Sequence, residues 1–253
     1  MSFAASILVL SEDGGHRVVR AFVRQILRFV DPEHRPGVVD LEPEDEGAQL
    51  AIQGNLYKGR TGEGHHKRVT IARTVATKIL SPTGYVFVHV DADRLWKERR
   101  KAPSDNLRRF EEIRVAVEQH VEGVLARRIP DSKQRAAAKA AVLSRLCVLS
   151  PYYSIESWLL QNTAAAKALC RKHHRGRDVQ KFEAWERDRT LLDDVDQPKK
   201  ATCLGAGKNL ELATAPYPAQ AVYEAGRSFT ESMDRVRACT PLAAALASTH
   251  APR

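Results

Sequence analysis

The most informative segment of the chain is Tyr85-Val86-Phe87-Val88-His89-Val90-Asp91-Ala92-Asp93. Five of its first six residues are apolar or aromatic and show no helical period, which is typical of a strand buried in a parallel sheet. In such sheets, ligands and catalysis collect just beyond the carboxyl ends of the strands, where Asp91 and Asp93 stand. Two carboxylates one residue apart repel each other unless a proton or a cation lies between them. The segment therefore predicts a cation site or, in a plainer interpretation, a strand that ends in a solvated acidic turn.

The segments before this strand alternate between strand and helix patterns. Ile7 to Leu10 predicts a first strand, and apolar residues at three- and four-residue steps from Val18 to Val30 predict an amphipathic helix. A second strand is predicted at Gly37 to Leu41. A mobile basic loop from Gly54 to Gly64 is expected to lead into a helix from about His66 to Leu80. This alternation predicts an α/β fold with a parallel, Rossmann-like sheet.

Helical patterns dominate the chain beyond Lys101. They predict a helical insertion at about residues 104–146, followed by a short strand at Cys147 to Ser150. A C-terminal helical part is predicted at about residues 160–240, with a last helix from Tyr217 to Ala238 and a loose tail after Thr240. Because no internal repeat or linker is present, residues 1–253 are predicted to form a single domain.

Composition indicates an ordinary globular protein, because 43% of the 253 residues are hydrophobic and 28% are charged. No run of eighteen apolar residues exists, so no membrane span is expected. The N-terminus lacks a basic segment and is interpreted as a strand, not as a signal peptide. The four cysteines are far apart in sequence and form no Cys-x-x-Cys pair. This spacing disfavours a zinc site and predicts a reducing, cytoplasmic location.

The net charge of +9 favours a polyanionic partner such as nucleic acid, DNA or RNA. Two basic clusters carry much of this charge, one at Lys97 to Lys101 and one at Arg171 to Arg177. The plain alternative for each cluster is a solvated face, but the first lies next to the acids of Asp91 and Asp93. The candidate nucleic-acid contacts are Lys97, Arg99, Arg100, Lys101, Arg171 and Arg175.

Chemically active side chains follow several of the predicted strands. Glu12 follows the first strand, Asp91 and Asp93 follow the central strand, and Glu156 opens a later helix. Lys199 lies in a downstream loop. Because the carboxyl ends of parallel strands meet at one edge of a sheet, we expect these side chains to converge. The plain alternatives are helix capping by Glu12, a favourable helix N-terminus for Glu156 and a surface position for Lys199.

In these residues the chain resembles the Toprim domain superfamily. More narrowly, it resembles the Toprim-like proteins allied to the overcoming-lysogenization-defect (OLD) nucleases and to RloB-like proteins. The resemblance spans roughly residues 6–215 as short motifs in the same order. The motifs are Ser11-Glu12-Asp13-Gly14, Val90-Asp91-Ala92-Asp93, Ser154-Ile155-Glu156-Ser157-Trp158-Leu159-Leu160 and Pro198-Lys199-Lys200.

The resemblance implies a metal-dependent nuclease of Toprim-like fold. The acids of such families bind Mg²⁺ or Mn²⁺, which makes Glu12 a metal ligand or general acid/base and gives metal-binding roles to Asp91, Asp93 and Glu156. Lys199 would face the charge that develops on the phosphate. The chain departs from the pattern at residue 16, where relatives often carry a second acid and this chain has a histidine. This departure leaves open a single metal site or a member that does not cleave.

Three functions follow from these patterns. The first is a metal-dependent nuclease, which the resemblance links to anti-phage defence by analogy. The second is a non-catalytic nucleic-acid-binding subunit that works beside a separate ATPase chain. The third is a phosphotransfer enzyme with a small nucleotide substrate. The chain lacks a P-loop pattern, which argues against a nucleoside triphosphatase of that type.

Overall fold

The computed structural model describes residues 3–12, 16–35, 37, 39–42, 45–101 and 104–249. Its strands form one sheet with the order β2-β1-β3-β4, in which all neighbouring pairs are parallel. The strands are β1 (Ala5–Ser11), β2 (Val39–Leu41), β3 (Gly84–His89) and β4 (Leu146–Leu149). The predicted parallel α/β fold is confirmed, and the strand predicted as central occupies an inner position. Of the second predicted strand, Val38 lies outside the described residues.

Helices connect and cover the strands. Those before β4 are α1 (His16–Val30), α2 (Glu46–Ile52), α3 (Gly62–Leu80), α4 (Asp105–Arg128) and α5 (Ser132–Leu143). Those after β4 are α6 (Ile155–Leu159), α7 (Thr163–His174), α8 (Val179–Arg187), α9 (Pro198–Ala201), α10 (Asn209–Thr214), α11 (Ala219–Glu224), α12 (Arg227–Arg237) and α13 (Thr240–Ala247). Short 3₁₀ turns lie at Gln53–Lys58, Trp96–Glu98, Arg189–Asp194 and Ala206–Lys208. No helix in the described part of the chain is long and apolar enough to cross a membrane.

The sheet separates two hydrophobic cores. Ile7 and Val9 of β1 pack into the core shared with α1 and the C-terminal helices, while Leu8 and Leu10 pack into the core shared with α2, α3 and α4. Successive side chains of a strand point to opposite faces of the sheet. A strand that is covered on both faces is therefore apolar at nearly every position. This double burial explains why the strand at residue 85 shows no polar alternation.

Two predictions about the C-terminus are wrong. The helix predicted from Tyr217 to Ala238 is divided into α11 and α12, because Gly226 between them adopts a φ of 81° that interrupts a right-handed helix. The residues after Thr240 form α13 instead of a loose tail. Leu242 and Leu246 of α13 are fully buried, and burial of two leucine side chains is sufficient reason for the tail to pack.

The side chain of Asp193 is buried within the 3₁₀ turn Arg189–Asp194. The backbone N–H of Ser228 donates to Asp193 Oδ2 at 3.0 Å, and Ser228 Oγ donates to both carboxylate oxygens. Burial raises the pKa of Asp193 to about 6, against the lowering effect of the Ser228 hydrogen bonds. Asp193 thus ties the 3₁₀ turn that contains it to the first turn of α12.

The pH dependence of stability should report this buried carboxyl. Because the folded-state pKa of Asp193 exceeds the unfolded value, the stability it contributes is fully present below pH 4 and is lost as the pH rises through 6. Between pH 7 and pH 4, the free energy of unfolding of the wild type should therefore rise relative to that of Asp193→Asn by up to about 3 kcal/mol. Urea unfolding at a series of pH values measures the difference. The same pH dependence of the free energy of unfolding in the wild type and in Asp193→Asn would contradict the prediction.

Candidate functional site

One side-chain amide at the carboxyl end of the sheet contacts two carboxylates and the backbone of a third acidic residue. We call Glu12, Asp91 and Asp93 the acid cluster. Asn106 Nδ2 lies 2.6 Å from Asp93 Oδ2, 2.8 Å from the backbone oxygen of Asp91 and 3.3 Å from Glu12 Oε1. Asn106 is placed by the first turn of α4, where Ser104 is the N-cap and accepts a hydrogen bond from the Leu107 N–H. The helical insertion therefore supplies the residue that links strands β1 and β3 at this site.

Glu12 is ion-paired with Lys58. Its carboxylate is buried, accepts a hydrogen bond from Lys58 Nζ and lies 3.5 Å from the hydroxyl of Tyr57. Arg68 of α3 holds the turn that contains Tyr57 and Lys58, because its Nη1 donates to the backbone oxygens of Tyr57 at 2.6 Å and Gly59 at 2.9 Å. The segment predicted as a mobile loop is thus fastened to α3 next to Glu12.

The first turn of α3 approaches the Lys58 segment closely at one glycine. A Cβ on Gly64 would lie 2.1 Å from the backbone oxygen of Gly59, so only glycine fits at this position. The close approach keeps the backbone that follows Lys58 against the helix.

Burial governs the protonation of Glu12. Desolvation raises the pKa of Glu12 above its ordinary value, although the hydrogen bond and charge of Lys58 lower it, and the charge of Asp91 adds to the rise. Burial and the neighbouring carboxylates also raise the pKa of Tyr57, so its phenol stays protonated. Glu12 is therefore a carboxyl group that can take up a proton nearer to neutral pH than an exposed glutamate can.

Asp91 is held by a buried histidine. His89 Nε2 lies 2.7 Å from Asp91 Oδ1, and His89 Nδ1 lies 3.0 Å from Ser11 Oγ. Gln49 fixes the backbone of Ser11 in turn. The Ser11 N–H donates to Gln49 Oε1 at 3.1 Å, and Gln49 Nε2 donates to the Ser11 backbone oxygen at 2.8 Å. Although Ser, His and Asp lie in line, Ser11 is 0% exposed and no substrate can reach it as a nucleophile. The chain of contacts orients Asp91.

Two non-glycine residues with positive φ face each other at this edge. Asp93 has a φ of 50° and Tyr153 has a φ of 59°. The Asp93 N–H donates to the Tyr153 oxygen at 3.0 Å, and the Tyr153 N–H donates to the Arg94 oxygen at 2.8 Å. A left-handed backbone is costly for a bulky residue such as tyrosine, and such strain clusters at functional sites.

Glu156 and Lys199 take part in other contacts. Glu156 is buried and accepts hydrogen bonds from Ser154 Oγ at 2.6 Å and Asn209 Nδ2 at 2.8 Å. Lys199 is exposed on α9, which packs against α6. No contact between described residues joins either side chain to the acid cluster. Their assignment as a metal ligand and a phosphate-facing lysine therefore stays a prediction.

The two predicted basic clusters differ in their surroundings. Lys97 to Lys101 lies between β3 and α4, the two elements that supply Asp91, Asp93 and Asn106, and its exposed members are Lys97, Arg100 and Lys101. Arg99 stacks on Trp96 with its guanidinium carbon 4.0 Å from the ring centroid. Arg171 and Arg175 are exposed at the C-terminal end of α7, where positive charge also stabilises the helix dipole. The first cluster is the one that follows Asp91 and Asp93 closely in sequence.

The acid cluster has the oxygen ligands that Mg²⁺ or Mn²⁺ prefers, but its side chains are engaged in pairs. Glu12 is bound to Lys58, Asp91 to His89 and Asp93 to Asn106. Among the described residues, no three His, Cys, Asp or Glu side chains converge closely enough to hold a metal ion. The donor chemistry fits a hard cation, while three-fold coordination would require the Glu12 or Asp91 side chain to leave its partner.

Three residues of this site were not identified in the sequence as site residues. Lys58 appeared only as part of a basic loop, His89 as part of a strand, and Asn106 as part of an amphipathic helix. A signal existed for His89, because it lies two residues before Asp91 within an otherwise apolar strand. Polar residues buried in a central strand need partners, so His89 indicated a hydrogen-bond network at that strand end.

Comparison with known proteins finds no relative of this chain. No protein-family model matches it, and no similar protein was found among curated proteins or among solved structures.

Proposed function

We propose that the protein is a nuclease that cleaves phosphodiester bonds of DNA or RNA with the help of Mg²⁺ or Mn²⁺ at the acid cluster. The observation that supports this proposal is the contact of Asn106 with the carboxylates of Glu12 and Asp93 and with the backbone oxygen of Asp91 at the carboxyl end of the sheet. One or two carboxylates together with phosphate oxygens are the usual ligands of Mg²⁺ next to a phosphate. When bound, the ion would stabilise negative charge on the phosphate and lower the pKa of a bound water.

Glu12 and Lys58 supply the remaining chemistry in this proposal. Glu12 has a raised pKa, so its carboxylate is suited to take a proton from an attacking water or to return one to the leaving oxygen. Lys58, once released from Glu12, presents a positive charge to the phosphate in a partly dry site. Lys58 thus takes the role that the sequence pattern suggested for Lys199, because Lys58 contacts the acid cluster.

The substrate class follows from charge. The chain carries a net charge of +9, and the exposed bases of Lys97 to Lys101 follow the acid cluster directly in sequence. A polyanion that binds these bases brings its phosphates to the edge of the sheet that contains Asp91 and Asp93.

The test is incubation of the protein with labelled plasmid DNA, single-stranded DNA and transfer RNA in Mg²⁺, Mn²⁺ or EDTA. The proposal expects fragments from at least one substrate with Mg²⁺ or Mn²⁺ and none in EDTA. Intact substrates under every condition would overturn the assignment as a nuclease.

A second candidate is a non-catalytic nucleic-acid-binding subunit that works with a separate ATPase. The ion pair of Glu12 with Lys58 and the contact of Asp91 with His89 favour it, because both balance the acidic charge without a metal. In this case nucleic acid should bind equally well in Mg²⁺ and EDTA and remain uncut.

A further inference from the structure

A row of arginines lies on the outer face of α1. At 3.6 residues per turn, the four positions fall within about 80° of the helix circumference, and the row is about 16 Å long. Three of its members are exposed and one is partly buried. We call this set the arginine row: Arg17, Arg20, Arg24 and Arg28. Hydrophobic side chains of α1 occupy the opposite face, which packs on the sheet.

The arginine row forms no ion pair with an acidic residue of the described part of the chain. None of the ion pairs among the described residues includes a member of the row. Arg20 Nη2 donates to the backbone oxygen of Leu41, while Arg20 Nε is buried and has no hydrogen-bond partner in the part of the chain that the structure describes. The exposed guanidinium groups of Arg17, Arg24 and Arg28 are therefore available to an anionic ligand.

A cavity accompanies the row at the edge of the sheet. It has a volume of about 360 Å³ and is lined by Arg20, Arg24, Arg28, His34 and Asp40, together with apolar side chains. Three guanidinium groups outnumber the single carboxylate, so the cavity is electropositive. Cavities with a net positive lining concentrate phosphate groups.

The direction of α1 connects the cavity with the acid cluster. The helix follows β1 and precedes the parallel strand β2, so it runs from the carboxyl edge of the sheet towards the opposite edge. The cavity lies beside Leu41, which pairs with Ile7, about 13 Å along β1 from the strand end next to Glu12. The arginine row runs along α1 over a similar length, on the face of the sheet that carries the C-terminal helices. Its length exceeds a single phosphate and suits the backbone of one extended strand.

We propose that the arginine row binds the phosphate backbone of a nucleic acid strand that extends from the acid cluster to the cavity beside β2. The proposal takes the identity of the strand from the proposed nuclease function, and it adds a binding surface separate from Lys97 to Lys101 and Arg171 to Arg177. The guanidinium groups donate to phosphate oxygens, which is the contact that positions a strand without reading its sequence.

The test measures the salt dependence of binding in EDTA, so that cleavage plays no part. A fluorescently labelled single-stranded oligonucleotide is titrated by anisotropy at several KCl concentrations. The variant Arg17→Gln/Arg24→Gln/Arg28→Gln is compared with the wild type and spares Arg20, which bonds Leu41. Each lost phosphate contact lowers the slope of log K against log salt by about 0.7, so the slope should fall by about 2.

A matched control removes the same charge elsewhere. Arg127, Arg128 and Lys133 are exposed around the end of α4 and belong to no ion pair among the described residues. The variant Arg127→Gln/Arg128→Gln/Lys133→Gln should keep the wild-type slope. Equal slopes in the two triple variants would overturn the proposal, whether or not the protein cleaves nucleic acid. Stronger release of the oligonucleotide by potassium phosphate than by KCl at equal ionic strength would indicate a single-phosphate site instead of a strand, and would also overturn it.

Discussion

Replacing Asp93 by Asn is expected to lower Mn²⁺-dependent cleavage by on the order of 10²-fold or more while the fold remains intact. Asn keeps the size of Asp and can still accept the hydrogen bond from Asn106, but it removes the charge that a metal requires. Asp93 is exposed, and in the absence of metal its charge repels neighbouring carboxylates. The thermal stability of the metal-free variant should therefore be unchanged or slightly higher.

Asp91→Asn should lose cleavage to the same extent but is a less clean variant, because Asp91 also contacts the buried His89. Glu118→Gln provides the control, since Glu118 is ion-paired with Lys139 on the outer surface of the helical insertion. The control should cleave at the wild-type rate. Full activity in Asp93→Asn and Asp91→Asn would refute a metal-assisted role for both carboxylates.

Replacing Lys58 by Met should lower the free energy of unfolding by about 3 kcal/mol at pH 8, because it leaves the buried Glu12 carboxylate without its partner. Loss of Lys58 also raises the pKa of Glu12 further. The stability contributed by protonated Glu12 is fully present below the unfolded pKa and is lost as the pH rises through the folded one. The cost of Lys58→Met should therefore be smaller at pH 5 than at pH 8.

The double variant Lys58→Met/Glu12→Gln separates the ion pair from packing. Gln at residue 12 removes the uncompensated charge, so the double variant should recover most of the lost stability and show little dependence on pH. Urea unfolding of the wild type, the two single variants and the double variant at pH 5 and pH 8 completes a double-mutant cycle. A loss that is independent of pH and persists with Glu12→Gln would mean that Lys58 acts through its aliphatic chain.

The parallel sheet could be predicted because its inner strands are apolar on both faces. Such strands appear in sequence as unbroken hydrophobic runs, and the run before Asp91 is one of them. The C-terminal end could not be predicted to the same extent. The division at Gly226 depends on one backbone angle, and the packing of α13 depends on a surface that distant segments create. Gly226 is a helix breaker, and Leu242 and Leu246 stand four residues apart, but neither local signal shows which surface the segment covers.

The residues of the site that could be predicted are its acids and, from its position in an apolar strand, His89. Glu12, Asp91 and Asp93 stand at strand ends, where topology alone brings residues together. Lys58 and Asn106 reach the same point from a turn and from a helix, which depends on tertiary packing. Two cysteines are likewise brought together only by tertiary packing: Cys170 Sγ and Cys203 Sγ lie 3.1 Å apart, although no short sequence motif contains both.

Titration of the purified protein with Mn²⁺ tests directly whether the acid cluster binds a metal ion, because it needs neither a substrate nor an activity. Electron paramagnetic resonance of free Mn²⁺ during a titration counts the ions that the protein removes from solution. We expect saturable binding by the wild type and by Glu118→Gln, and loss of that binding in Asp91→Asn/Asp93→Asn. Equal binding by the double variant, or no saturable binding by the wild type, would contradict it.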